Sequence, residues 1–138
     1  MNDVNEKKVL ELLKKQFGID DFDFKIRFSG KNKIYVYKEC NNEDLGIELY
    51  HFGLYFGRLE KDGLRLSLDG SQLIAKKAKK GVLEISDKEA QKWMKGENIT
   101  RKGIFGYVII KWGNYILGCG KGNGKVINNF LPKDRRIS

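Results

Sequence analysis

GYVIIKWGNYILGCGKGNGKVINNFL, residues 106–131, decides the fold. Two polar breaks, Gly113-Asn114 and Asn123-Gly124, divide it into three apolar runs at 106–112, 114–121 and 125–131. Such pairs admit the backbone of a tight turn, so the runs predict three consecutive antiparallel strands. Alternation along the first run puts Tyr107, Ile109 and Lys111 on one face, and Val108, Ile110 and Trp112 on the other. Glycines at 118, 120, 122 and 124 do not make a phosphate loop. A dinucleotide fingerprint from Gly118 needs glycine where Asn123 stands. A Walker-type loop ending at Gly124-Lys125 needs glycine and Ser or Thr where Cys119 and Val126 stand. Hairpin glycines account for the pattern, and they are compatible with a close approach of another backbone or a ligand.

Working outward, helical spacing of Val4, Leu10, Leu13 and Phe17 predicts a helix from about Asp3 to Phe17, capped by Asp3 or Asn5 and stopped by Gly18. DFDFKIRF (21–28) alternates Phe22, Phe24, Ile26 and Phe28 with polar residues. With the turn SGKNK and IYVYK (34–38) it predicts a hairpin. IELYHFGLYFGRLE (47–60) reads as one or two strands bent at Gly53. KDG (61–63) turns into a strand, LRLSL (64–68). DGSQLIAKKAKKG (69–81) predicts a helix capped by Asp69 or Ser71, with Ile74 and Ala78 inward. VLEI (82–85) is a strand, and SDKEAQKWMKG (86–96) a helix whose Ser86 and Glu89 have capping-box spacing. The fold class is α+β: a small N-terminal unit over residues 1–60, then a curled mixed β-barrel with short helices over 61–138.

The chain of 138 residues, 41% apolar with one proline, has the composition of a folded protein. No apolar run approaches the roughly 20 residues of a membrane span, and the charged N-terminus has no signal core. Two cysteines make no disulfide framework, and a cytoplasmic location is expected. Charge is uneven. Residues 61–138 hold 17 Lys/Arg against 7 Asp/Glu, residues 1–60 hold 10 against 11. Cations interleaved with aromatics, Asn and Gly suit a polyanion with flat bases.

Other chemistry finds little support. His51 is the single histidine, so neither a triad nor a two-His metal site can be assembled, and a packed or surface strand histidine is expected. Cys40 and Cys119 lack CxxC spacing, and Cys119 reads as a small buried hydrophobe. Asp20, Asp21 and Asp23 read as a solvated turn. Lys76, Lys77, Lys79 and Lys80 spread over about 160° of the predicted helix. Alone they would suit a solvated face equally well. A second cluster, Lys121, Lys125, Lys133, Arg135 and Arg136, brackets Asn123, Asn128 and Asn129 and favours recognition, because Arg and Asn hydrogen-bond directionally. Some of Tyr107, Trp112, Tyr115 and Phe130 must be core, and alternation does not say which is free to stack.

Residues 52–99, with LSLDGSQLIAK and WMKGENI, and 106–137, with LGCGKGNGKVINNFLPKDRRI, resemble the PUA-like RNA-binding region attached to Sun/Fmu-family RNA cytosine-C5 methyltransferases. The resemblance implies a pseudo-barrel binding structured rRNA or tRNA. It points to Arg65, Lys76, Lys77, Lys79, Lys80, Lys121, Asn123, Lys125, Asn129, Lys133, Arg135 and Arg136. Residues 1–50 parallel a small pre-PUA domain in architecture only. Those enzymes need a Pro-Cys nucleophile, whereas neither cysteine here follows a proline. A freestanding, non-enzymatic RNA-binding module without cofactor is therefore expected. It would act in ribosome biogenesis or beside an RNA-modifying enzyme or pre-ribosomal protein. The alternatives are a scaffold whose basic face docks an acidic protein, and a small RNA-acting enzyme of another type.

Overall fold

A computed structural model describes residues 2–42, 47–50 and 53–137, with side chains described over 5–38 and 53–137. His51 and the side chains of Asp3 and Cys40 lie outside these limits. The chain begins with helix α1 (Asn2–Phe17). The first sheet has the order β1 (Lys25–Ser29), β2 (Lys33–Tyr37), β5 (Leu54–Glu60), β6 (Gly63–Leu66), all antiparallel. Between β2 and β5 lies a separate hairpin of β3 (Glu39–Asn42) and β4 (Ile47–Tyr50). The expected bend near Gly53 is thus a break between two strands. β1 is shorter than the alternation suggests, although Phe22 and Phe24 still pack on the core ahead of it.

Helix α2 (Leu68–Ile74) follows β6. Then come β7 (Val82–Glu84), α3 (Asp87–Met94), the two-residue β8 (Ile99–Thr100), β9 (Phe105–Trp112), β10 (Tyr115–Asn123), β11 (Val126–Asn129) and a 3₁₀ turn (Lys133–Arg135). The second sheet has the order β7-β9-β10-β11-β8, with β7 parallel to β9 and every other pair antiparallel. The chain is α+β, and this mixed sheet forms a β pseudo-barrel. Both predicted turns join antiparallel strands, and Trp112 faces Tyr115 across Gly113-Asn114.

The alternation along β9 separates two cores. Tyr107 and Ile109 join the cluster of Val9, Leu13, Phe17, Phe56, Leu64 and Ile74. Val108 and Ile110 join Ile85, Ala90, Trp93, Ile99 and Ile127. A strand buried on both faces cannot present its aromatics to a ligand from its middle. Trp93 is fully buried, and its indole nitrogen donates to the Leu117 carbonyl at 3.0 Å. Gly120 is small for this reason: a Cβ there would lie 2.7 Å from the Trp93 ring and 2.6 Å from Ile127. Gly122 likewise leaves room for the Ile104 carbonyl, 2.2 Å from where its Cβ would lie.

Residues 60 and 63 pair in the β5–β6 hairpin, so the 60/61 division falls in its turn. The first cluster takes residues from both sides of it. Ser86 and Glu89 close the expected capping box on α3.

Candidate nucleic-acid interface

Ser67, ahead of both expected caps, starts α2. Its hydroxyl oxygen accepts from the Gly70 amide at 2.8 Å. Asp69 lies inside the first turn, and Ser71 is buried with its hydroxyl donating to the Ser67 carbonyl. The helix lies close on β5: a Cβ at Gly70 would meet the Phe56 carbonyl oxygen at 2.1 Å. This pins the face carrying Leu68, Gln72 and Ala75 against β10, where the Gln72 amide donates to the Ile116 carbonyl at 3.3 Å.

The lysine run is not helical, which corrects the sequence reading. The helix ends at Ile74, and beyond it the amides of Lys79 and Lys80 donate to the Phe17 carbonyl at 2.8 and 3.4 Å. Tertiary capture by the end of α1 outweighs local helix propensity. The four lysines consequently part company. Lys77 Nζ lies 3.8 Å from Asp21 and 3.7 Å from Asp23, and Lys79 Nζ lies 3.5 Å from Asp20. A backbone hydrogen bond, then the ammonium groups of Lys38 and Lys77, hold the Asp23 carboxyl below its ordinary value. Among the described residues no carboxylate pairs with Lys76 or Lys80.

Lys76 instead borders an open groove of about 1060 Å³, together with Gln72, Lys111, Asn114, Tyr115 and Arg135. The floor is apolar, with Leu68, Val82 and Leu131. Arg135 makes one exposed ion pair, with Asp69 at 3.6 Å. Such pairs contribute only about 0–1 kcal/mol and yield readily to a phosphate. Tyr115 is 66% exposed and its ring lies 5.6 Å from that of Trp112. Trp112 is held from behind, its indole donating to Asp87 at 2.8 Å. Cations, amide groups and a supported ring around an apolar floor can grip a phosphate and stack a base.

Of the residues expected at the site, the groove takes Lys76 and Arg135, and Lys133 is exposed in the same 3₁₀ turn. Asn123 and Lys125 sit at the opposite end of the nine-residue β10 from Tyr115, about 27 Å along the strand. There the Asn123 side-chain oxygen accepts from the amides of Lys125 and Val126, both at 2.9 Å, and shapes the turn. Phe105, 75% exposed, lies over Gly124 at that end. Lys121 is paired with Asp62, which also accepts from the Tyr107 hydroxyl at 2.8 Å. Those two hydrogen bonds hold the Asp62 carboxyl below its ordinary value. Burial, then Asp62, raise the Tyr107 hydroxyl.

Three more of the expected residues have internal partners. Both amide protons of Asn129 are donated, to the carbonyls of Trp93 and Glu97 at 2.8 Å, and its side-chain oxygen accepts from the Leu131 amide at 2.7 Å. Arg136 donates from Nε to the Leu131 carbonyl at 2.9 Å and packs on Gly96. Arg65 stacks over Phe130 at 3.9 Å. Lys111 and Gln72 had no signal of their own in the sequence. Tyr115 had one, since a side chain beside a tight turn is seldom buried. Cys119 is buried, and burial pushes its thiol up to about 12. No group of three metal-ligating residues occurs among the described residues. No helix among them is long and apolar enough to cross a membrane.

The sequence comparisons point to a class: the C-terminal part of the chain is similar to a PUA-like region. Residues 80–137 match the family described as the methyltransferase RsmF PUA domain. Three relatives are each named ribosomal RNA small subunit methyltransferase F. The one from Vibrio cholerae serotype O1 (strain M66-2) is 24% identical over 106 residues, covering 75% of this chain and 22% of the relative. That from Vibrio atlanticus (strain LGP32) is 25% identical over 104 residues, covering 73% and 22%. That from Aeromonas salmonicida (strain A449) is 24% identical over 110 residues, covering 78% and 23%. The matched segment is thus about a fifth of these relatives' length.

Proposed function

We propose that this chain binds structured RNA through the groove between α2, the β9–β10 turn and the 3₁₀ turn, and that it contributes recognition without chemistry. The observation that carries the reading is the convergence of Lys76, Lys111 and Arg135 with the exposed Tyr115 on one apolar-floored groove. The PUA-like match supports RNA as the partner. The relatives' name favours ribosomal RNA over tRNA. Burial leaves Cys119 a poor nucleophile, since the thiolate is the reactive form. Work beside an RNA-modifying enzyme or a pre-ribosomal protein fits the same reading.

The test is fluorescence anisotropy with hairpin fragments of small-subunit rRNA. Wild-type binding should weaken with salt at a log–log slope near −0.7 to −0.9 per phosphate neutralised. Replacing Lys76 and Arg135 together with Gln should cost about ten-fold in affinity and flatten the slope by about 1.4–1.8. Unchanged binding in that variant would remove the groove from the function.

A further inference from the structure

The outer face of the N-terminal sheet carries a pattern that its own folding does not require. Ile26, Ile34, Val36, Phe56, Leu64 and Leu66 face the core. On the other face, the register places Arg27 beside Tyr35 and Tyr35 beside Tyr55. The next row places Lys33 directly opposite Arg58, and Arg58 directly opposite Arg65. Like charges facing one another across strands destabilise a sheet. Three cations in one row is therefore a local conflict, and such conflicts mark functional surfaces. Only part of it is relieved within the fold. Arg58 donates to the Lys31 carbonyl and lies 4.0 Å from Glu60, and Arg65 covers Phe130. Among the described residues no carboxylate pairs with Arg27 or Lys33.

The aromatic row is also built for contact. Arg27 lies 5.3 Å from the centre of the Tyr35 ring, whose centre is 5.4 Å from that of Tyr55. Tyr55 is 38% exposed, and Arg27 and Lys33 are exposed. Flat rings beside a row of cations on a partly exposed antiparallel face match a strand of unpaired nucleotides. The bases stack on the rings while the phosphates meet the cations.

We propose that this face is a second RNA site, a platform for two or three nucleotides of single-stranded RNA, distinct from the groove. It rests on the reading above only for the identity of the polyanion. The platform accepts unpaired bases with little sequence preference, because every base has a face to stack. The groove and the platform together let one chain hold a folded element and the single strand next to it.

Two labelled probes separate the sites: an oligouridylate of about a dozen nucleotides, and the rRNA hairpin. Tyr35→Leu/Tyr55→Leu keeps apolar bulk and removes the stacking rings. It should weaken oligouridylate binding roughly ten-fold or more, with hairpin affinity within about two-fold of wild type. Tyr35→Phe/Tyr55→Phe should bind oligouridylate like wild type. Arg27→Gln/Lys33→Gln, at exposed positions, repeats the loss should the leucine pair melt early. Lys76→Gln/Arg135→Gln should show the reverse selectivity. Oligouridylate binding untouched by both sheet variants overturns the platform and leaves the groove standing. Hairpin binding untouched by the groove variant, with oligouridylate lost in the sheet variants, overturns the groove and leaves the platform. Competition by polyglutamate as strong as by unlabelled oligouridylate would make the face a dock for an acidic protein, and the proposal fails.

Discussion

The lysine run after α2 and the outer face of the first sheet invert what the sequence says about them. The run belongs to the half with 17 cations against 7 acids, yet two of its four lysines meet Asp20, Asp21 and Asp23. The sheet face belongs to the half with 10 against 11, and it carries Arg27, Lys33 and Arg58 in adjacent rows. The acids that balance the N-terminal half on paper include three that lie against the other half's lysines. Charge counted along a chain predicts a partner's sign, whereas the site depends on which charges the fold has already paired.

The largest effect that can sharpen this comparison separates the two faces of one strand. Phe56 is fully buried and Tyr55, its neighbour, points outward. Phe56→Ala should lower unfolding free energy by about 3–5 kcal/mol in urea titrations. Tyr55→Ala should cost about 0.2–1 kcal/mol, the scale of one cross-strand pair. Comparable losses would mean that the outer face is part of the core and unavailable as a surface.

Next in size is a gain. Asp20→Asn/Asp21→Asn/Asp23→Asn releases Lys77 and Lys79, and with them Lys14 and Lys38 outside the lysine run, without touching a cation. RNA affinity at low salt should rise, and the log–log salt slope should steepen by about 1.4–1.8, two further phosphates' worth. An unchanged slope would show that these lysines lie away from any bound RNA, paired or not.

How much of this was legible follows from how local each feature is. The β9–β10–β11 turns, the Ser86–Glu89 capping box and the two faces of β9 depend on neighbours a few residues apart, and alternation and spacing report those directly. The end of α2 depends on a carbonyl at Phe17 meeting amides at 79 and 80, so Lys76–Lys80 read as helix when no helix is there. Asn129 and Arg136 read as recognition residues because Asn and Arg hydrogen-bond directionally. The same property fastens Asn129 to Trp93 and Glu97, and Arg136 to Leu131. The Lys33–Arg58–Arg65 row is invisible until strand register is known. β8 has two residues and no periodicity to detect.

Arg135 and Arg136 bring the same contrast to adjacent positions. Arg136→Lys loses the Nε hydrogen bond to the Leu131 carbonyl and should cost about 1 kcal/mol of stability, with hairpin affinity nearly unchanged. Arg135→Lys keeps the charge at the groove but loses the planar fork. It should leave stability unchanged and weaken hairpin binding. Equal effects of the two on binding would place both side chains on the RNA.

The smallest effect tests whether Lys121 is held back from RNA by Asp62. The Asp62 carboxyl is kept below its ordinary 3.8 by the Lys121 ammonium and the Tyr107 hydroxyl. A carboxyl depressed in the folded state stabilises it above the ordinary value, and that contribution fades as pH falls through the depressed one. Asp62→Asn should therefore melt slightly below wild type at pH 7, and the gap should close as pH falls below 3.8. The pair is about half exposed, with side chains 37% and 46% accessible, so solvent screening keeps the shift small. In the same variant Lys121 is free to meet a phosphate, and the salt slope should steepen by at most about 0.7–0.9. A gap in melting temperature that stays constant from pH 7 to pH 3 would show that the carboxylate charge plays no part. Lys121 would then be as available to RNA in the wild type as in the variant.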